Sequence, residues 1–200
     1  MKKKLIIVGA GYAGIEALRR LASTDLFTIK LFDIQAYHYM QTEVYDYIAN
    51  ESDFSKITVD LFSFCAGLSC DVEFIKKEVI SIDKENKEVS TDTHNYEFDY
   101  LLLCSGAKTR FISSIKGLRQ YAHGIKILDK ALYFKQRFEH SLFMRIKKEA
   151  ESCNQLNIVV AGAGLSGVEI AAQMASFSNE FYKNNSFLCN KLSIVLIDAY

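Results

Sequence analysis

Two sets of three glycines stand at spacings that can do chemistry: Gly9, Gly11 and Gly14 in "LIIVGAGYAGIEALRRLA", and Gly162, Gly164 and Gly167 in "IVVAGAGLSGVEIAAQMA". In a G-x-G-x-x-G turn the first glycine permits a tight bend out of a strand. The second lets backbone approach a pyrophosphate with no Cβ in the way, and the third lets the next helix pack closely on the strand. The start of that helix offers unpaired N–H groups and a partial positive charge to phosphate oxygens. Each set is answered by an acid closing the next apolar run, Asp33 or Asp198, where a carboxylate can bond both hydroxyls of a ribose. Asp198 would repel a 2′-phosphate and no arginine replaces it, so the second site reads as one for NADH. Two sites imply two dinucleotides, and a chain holding two points to hydride transfer between a nicotinamide and a flavin. The motifs themselves do not say which site takes which.

The elements that must position these turns are legible as two βαβ units. In the first, "KLIIV" and "FTIKLFD" read as apolar parallel strands covered on both faces, and Ile15, Leu18 and Leu21 recur on one face of the connecting helix. In the second, "NIVV" and "KLSIVLIDA" flank a helix expected from about Val168 and then the polar stretch "SNEFYKNNSF". Between the units, the residues from Val72 to Val89 predict an antiparallel meander, with "VEFIKKEVISID" and "KEVST" joined by a turn at "KENK". Tyr100 to Cys104 predict a buried strand that ends in Ser105, Gly106 and Ala107. Asp129 can cap a long helix whose apolar positions Ala131, Phe134, Phe138, Leu142 and Ile146 step by three or four. The expected fold is α/β with two Rossmann-like domains, 1–115 and 116–200.

Composition narrows the function classes. The chain has 200 residues, half of them apolar, and 24 basic against 24 acidic side chains. That balance lacks the basic stripe of a nucleic-acid binder, and no nucleic-acid partner is expected. The lysine-rich start "MKKKLIIVGAG" breaks at Gly9 and reads as a strand rather than a secretion signal. The five cysteines, an odd number, favour reduced thiols and a cytoplasmic setting. Proline is absent, and nothing in the sequence explains it.

Other residues invite chemistry and mostly do not earn it. Cys65 and Cys70 have the C-x4-C spacing of a redox pair, but their place in the chain is wrong for chemistry against a flavin, so ordinary thiols are expected. His38 and His94 lack partners at metal-ligand spacing and are expected to be packed or exposed, with no metal site. Tyr37, Tyr39, Tyr45 and Tyr47 are expected to form a half-buried aromatic patch.

With these features in place, the sequence resembles the FAD-dependent pyridine nucleotide-disulfide oxidoreductase superfamily, and within it the type II NADH dehydrogenases, single-subunit NADH:quinone oxidoreductases. The resemblance lies in "GAGYAGIEAL", "AYHYMQTEVYDYIAN", "KKEVISID", "FDYLLLCSGA" and "GAGLSGVEIA". "AYHYMQTEVYDY" lacks the cysteines that glutathione-reductase relatives carry there, and Glu169 follows the second turn as in the family's "GVE". Gly167 and Asp198 are about thirty residues apart, against about twenty in a minimal unit.

The resemblance implies FAD at Gly9, Gly11, Tyr12, Ala13, Gly14 and Gly106, with Asp33 on its ribose, Thr42 on the flavin side and the Val79 backbone at the adenine. It implies NADH at Gly162, Gly164, Gly167 and Asp198, with Glu169 as the candidate catalytic residue near nicotinamide and flavin. Departures are Asp33 where the family more often has Glu, Cys104-Ser105 in place of Ala-Thr, and Leu165 in place of Pro. The implied activity is transfer of hydride from NADH to FAD and of electrons on to a quinone. The implied setting is cytoplasmic or at the cytoplasmic membrane face, and a homodimer is an open expectation. Family members are longer, so the chain is expected to be an N-terminal part, with peripheral membrane segments beyond it. The alternatives are a soluble NADH-dependent flavoprotein reductase with another acceptor, a sulfide:quinone oxidoreductase, and a non-enzymatic NADH-binding module.

Overall fold

The computed structural model describes residues 1–68, 71–109, 111–148, 156–185 and 192–198. In chain order the elements are β1 (Lys3–Val8), α1 (Tyr12–Ala22), β2 (Phe27–Asp33), β3 (Tyr37–Tyr39), α2 (Val44–Ile48), a 3-10 turn (Phe54–Lys56), β4 (Thr58–Asp60) and α3 (Leu61–Ala66). They continue as β5 (Val72–Lys76), β6 (Ser81–Asp83), β7 (Glu88–Ser90), β8 (Asn95–Glu97), β9 (Tyr100–Leu103), α4 (Leu118–Tyr121), α5 (Leu128–Lys148), β10 (Leu156–Ala161), α6 (Leu165–Asn184) and β11 (Leu192–Ile197). The chain divides into two units, one of Met1–Met40 with Thr58–Lys108, the other of Gln41–Ile57 with Thr109–Tyr200.

The first unit is built on a four-stranded parallel sheet in the order β5-β2-β1-β9. Alternation along β1 explains why every residue of "LII" is apolar. Leu5 and Ile7 join Leu18 and Ala22 of α1 and Leu61 and Cys65 of α3 on one face, while Ile6 joins Phe32 and Val89 on the other. A parallel strand loses its side chains to the core on both faces, so it reads as an unbroken apolar run. The second face is covered by the antiparallel meander β6-β7-β8, whose Tyr96 meets Phe32 edge-on with ring centroids 5.0 Å apart.

The expected meander is therefore shifted. Val72–Lys76 pairs in parallel with β2 as the edge of the main sheet, and the antiparallel part runs from Ser81 to Glu97 with a third strand, β8. The alternation that suggests a hairpin strand equally suits an edge strand of a parallel sheet, because both have one half-covered face.

In the second unit β10 and β11 pair in parallel, and α6 lays Ile170, Ala171, Met174, Ser178 and Tyr182 inward. This helix begins at Leu165 and runs straight through the polar stretch to Asn184, contrary to the expected break. Two residues of that stretch four apart turn inward: Ser178 donates its hydroxyl to Met174 O at 2.7 Å, and Tyr182 is buried. The segment with α2 belongs here too. Gln173 donates to Asp46 at 2.6 Å, Lys135 to Tyr47 O at 2.8 Å, and Asn50 to Glu139 at 2.8 Å, so α2 is tied to both α5 and α6. Of the predicted stripe of α5, Ala131, Phe138 and Leu142 are buried, and Asp129 lies within its first turn rather than at the cap. No described helix is long and apolar enough to cross a membrane.

Candidate functional site

The two glycine turns have nearly the same local geometry. Gly9 and Gly162, leaving β1 and β10, take φ of +102° and +108°, which side-chain-bearing residues rarely adopt. Their N–H groups donate to Phe32 O at 2.7 Å and Ile197 O at 2.8 Å, which carries the strand pairing into the turn. The next N–H is aimed at the acid that closes the neighbouring strand. Ala10 N–H donates to Asp33 Oδ2 at 2.7 Å, and Ala163 N–H donates to Asp198 Oδ2 at 2.6 Å. The acids thus brace their turns, and the second oxygen of Asp33 accepts from Gln35 N–H at 2.8 Å. Each carboxylate oxygen has two lone pairs, so bracing leaves capacity for a ribose hydroxyl.

The third glycines are dictated by packing. A Cβ on Gly14 would lie 1.9 Å from Gly9 O, and one on Gly167 would lie 1.8 Å from Gly162 O. The second glycines are different. Gly11 and Gly164 have φ of −71° and −70°, open to any residue, and a Cβ there would meet nothing within 4 Å. What their lack of a side chain provides is clear approach to the start of α1 and α6. Neither helix has a side-chain cap or an acid in its first turn, so the N-terminal N–H groups and the positive end of each helix dipole are available to an anion. An open cradle, uncapped donors and an adjacent carboxylate fit a dinucleotide at each turn.

Around this common plan the two units differ. In the first, a Cβ on Gly9 would lie 2.3 Å from Cys104 O, so the end of β9 closes over the turn. Gly106, just beyond, is exposed, has φ of +67°, and faces open space. His38, on β3, is 6% exposed, and its Nδ1–H donates to Ala10 O at 2.7 Å. Its ring meets Tyr12 edge-on at 5.0 Å. Of the two placements expected for His38, packed or exposed, the structure shows the packed one, and the bond to the glycine turn was not foreseen. The signal available was the alternation in "YHY", which turns His38 inward between two half-buried tyrosines.

Val79 lies half-buried in the extended segment between β5 and β6, packed against the Ile6, Phe32 and Val89 cluster. Beside it a cavity of about 330 Å³ opens, lined by Ile34, the residue after Asp33, and by Lys76, Lys77, Glu78, Ile80 and Asp92. Thr42 is exposed in the turn before α2, with its hydroxyl 3.3 Å from Glu43 Oε1. Thr42 groups with the second unit, whereas the first glycine turn is in the first.

Glu169 is exposed on α6, one residue beyond its first turn rather than within it. Its counterpart after the first turn is Glu16, and the two carboxylates live differently. The Arg19 and Arg20 guanidinium groups, with Nε atoms 3.1 and 2.5 Å away, hold the Glu16 carboxyl down to about 2. The Glu169 carboxylate has no ion pair or hydrogen bond among the described residues.

Cys65 is buried against the sheet, and burial pushes its thiol up to about 11, far from a thiolate at neutral pH. Cys70, Cys153 and Cys189 lie outside the described residues. The tyrosine group is divided: half-buried Tyr37 and Tyr39 belong to the first unit, half-buried Tyr45 and Tyr47 to the second. His94 is exposed, and no cluster of three metal-ligating side chains occurs among the described residues.

Known proteins are similar to this chain in sequence and fold. The type II NADH:quinone oxidoreductase of Staphylococcus aureus is 28% identical over 205 aligned positions, covering 99% of this chain and 49% of that protein. The chain thus spans about half the length of the curated relatives it matches. NDH2 from Plasmodium falciparum, solved in complex with RYL-552, superposes with a TM-score of 0.83 at 25% identity, covering 98% of this chain and 41% of that one. The sulfide:quinone oxidoreductase of Aquifex aeolicus shares the fold with a TM-score of 0.71 at 21% identity, covering 98% of this chain and 43% of that one. The sequence pattern of the family described as pyridine nucleotide-disulphide oxidoreductase matches residues 3–197. With both glycine turns inside that match, the chain belongs to the pyridine nucleotide-disulphide oxidoreductase family.

Proposed function

We propose that this chain supplies the two dinucleotide sites of an NADH-dependent flavoprotein oxidoreductase of the type II NADH:quinone oxidoreductase kind. The observation that carries the reading is the duplicated turn: open second glycine, uncapped helix start and bracing acid, built twice in one chain. FAD belongs at the first turn and NADH at the second. This order along the chain is the one implied by the resemblance to type II NADH dehydrogenases, and the 28% identity to the Staphylococcus aureus enzyme supports that resemblance. FAD, when bound, supplies the two-electron acceptor that takes hydride from NADH and passes electrons to a quinone.

The protein's own contribution is binding and orientation. In this reading Gly11, Tyr12, Ala13 and Gly14 present main-chain donors to the FAD pyrophosphate, and Gly106 lets the end of β9 approach it. Asp33 holds the adenosine ribose while bracing Ala10. The main chain at Val79, beside the cavity that Ile34 and Ile80 line, takes the adenine, and Thr42 takes the flavin side. Gly162, Gly164 and Gly167 hold the NADH pyrophosphate, and Asp198 selects NADH over NADPH by charge. Glu169, a carboxylate without a partner among the described residues, orients the nicotinamide region. Because quinones dissolve in membranes, the whole protein works at a membrane surface.

The test is the visible spectrum of the purified chain loaded with FAD, recorded anaerobically before and after NADH. Bleaching by NADH and much slower bleaching by NADPH are expected, followed by recovery of colour on adding a short-chain quinone. A chain that binds NADH but never takes up FAD would sink the flavoprotein reading and leave the binding-module alternative.

A further inference from the structure

We infer that His38 is a positioning residue for the first nucleotide site, holding the Ala10–Gly11 peptide so that Gly11 N–H faces the pyrophosphate; this rests on the proposed FAD site at that turn. A carbonyl oxygen can only accept, so the 2.7 Å contact from His38 Nδ1 to Ala10 O requires the proton on Nδ1. The peptide between Ala10 and Gly11 is planar and trans, with its C=O and N–H on opposite sides. Fixing the carbonyl toward His38 therefore points Gly11 N–H the other way. That N–H makes no hydrogen bond among the described residues, and the space beside Gly11 is open.

The need for such a clamp follows from the backbone. Glycine at position 11 leaves the Ala10–Gly11 peptide with little steric resistance to flipping, and a flipped peptide would present an oxygen where a phosphate must bind. Asp33 restrains the preceding peptide through Ala10 N–H, so the acid and the histidine fix two successive peptide planes from different strands. The donor survives protonation of the ring, since Nδ1 carries hydrogen in the imidazolium as well as in this tautomer. Burial at 6% exposure and edge-on contact with Tyr12 hold the ring in place. The second turn has the acid but no histidine on Ala163 O among the described residues.

Two substitutions separate the donor from the packing. His38→Phe keeps a ring against Tyr12 and deletes the donor. His38→Asn deletes most of the ring but places its amide Nδ2 where Nδ1 was, the same number of bonds from Cβ. Binding of FAD, followed by quenching of flavin fluorescence, is expected to weaken about ten- to a hundredfold in His38→Phe, in line with a buried acceptor left unpaired. In His38→Asn it is expected to stay within about threefold of wild type despite a lower melting temperature. NADH affinity is expected to be unchanged in both.

The opposite ranking, with FAD binding tracking thermal stability rather than the donor, would show that His38 is ordinary core and overturn the inference. A second readout needs no nucleotide. In 15N spectra of the free chain, His38 in its neutral form is expected as the Nδ1–H tautomer, and the Gly11 amide resonance is expected to move in His38→Phe and to hold in His38→Asn. An Nε2–H tautomer overturns the clamp. If wild type fails to bind FAD at all, the proposed cofactor fails, while these resonances still decide whether the clamp exists.

Discussion

The two glycine turns are alike from strand to helix and unlike in what surrounds them. The φ angles of their first glycines differ by only a few degrees, and both bracing acids bond the same N–H. Yet Ala10 is buried, with β9 against Gly9 and His38 on its carbonyl, whereas Gly162, Ala163 and Gly164 are exposed and a Cβ on Gly162 would meet nothing within 4 Å. The motif encodes the path of the turn, and residues far from it in sequence decide how firmly that turn is held. A turn clamped on several sides has already lost the freedom that binding would otherwise remove, which favours tight, long-lived binding. That suits a resident cofactor at the first turn.

The largest effect should come from putting the same side chain into the same position of each turn. Alanine at Gly9 must adopt a left-handed φ and also place Cβ 2.3 Å from Cys104 O, whereas alanine at Gly162 meets the φ penalty alone. Backbone strain of this kind costs about 1–3 kcal/mol, and overpacking adds about another 1–3 kcal/mol. Gly9→Ala is therefore expected to destabilise the chain about twice as much as Gly162→Ala in urea unfolding and to abolish FAD uptake. Gly162→Ala should retain FAD and weaken NADH. Equal losses would mean that β9 yields easily and that the first turn is not the more rigid of the two.

This contrast also marks where the sequence was legible. The βαβ units, the acids at Asp33 and Asp198 and the close packing at Gly14 and Gly167 follow from local pattern, because each depends on residues within one unit of strand, turn and helix. The clamp by His38 was not legible. It joins residues 28 apart through a main-chain carbonyl, which leaves no trace in residue identity at position 10. Likewise the grouping of Gln41–Ile57 with the second unit rests on contacts such as Gln173 to Asp46, 127 residues apart. Helix α6 outran its expected end because inward positions Ser178 and Tyr182 carry polar atoms, and hydropathy alone reads such residues as loop. Roles at Thr42, Val79 and Glu169 came from resemblance, not from periodicity or spacing.

A smaller effect is expected from the acids. Asp33→Asn and Asp198→Asn each replace a charged acceptor by a neutral one opposite the turn N–H, and hydrogen bonds to charged groups contribute about 1.5–3 kcal/mol. Part of that survives through the amide oxygen. Asp33→Asn is expected to weaken FAD about tenfold with NADH unaffected, and Asp198→Asn to weaken NADH similarly. The second variant should in addition narrow the preference for NADH over NADPH, because the repulsion of the 2′-phosphate is gone. Titrations of both nucleotides against both variants provide a two-by-two check. Crossed effects, with Asp33→Asn lowering NADH affinity, would reverse the assignment of the turns.

The smallest and most discriminating comparison is between Glu16 and Glu169, which follow their turns at the same spacing. Glu16 is held ionised by Arg19 and Arg20, a surface cluster whose charges satisfy one another. Its depressed titration means that the pairing is fully present above the ordinary carboxylate range and is lost as pH falls through about 2. A 13C titration of the Glu16 carboxyl is expected to show that midpoint, and Glu16→Gln is expected to leave FAD and NADH binding unchanged, as exposed pairs contribute little. Glu169 has no such partners among the described residues. If it orients the nicotinamide, Glu169→Gln should slow flavin reduction by NADH about three- to tenfold, a loss of roughly 1 kcal/mol in the transition state, with the melting temperature unmoved. A rate equal to that of wild type would make Glu169 the solvent-exposed equal of Glu16, and the difference between the two turns would then lie in their backbones alone.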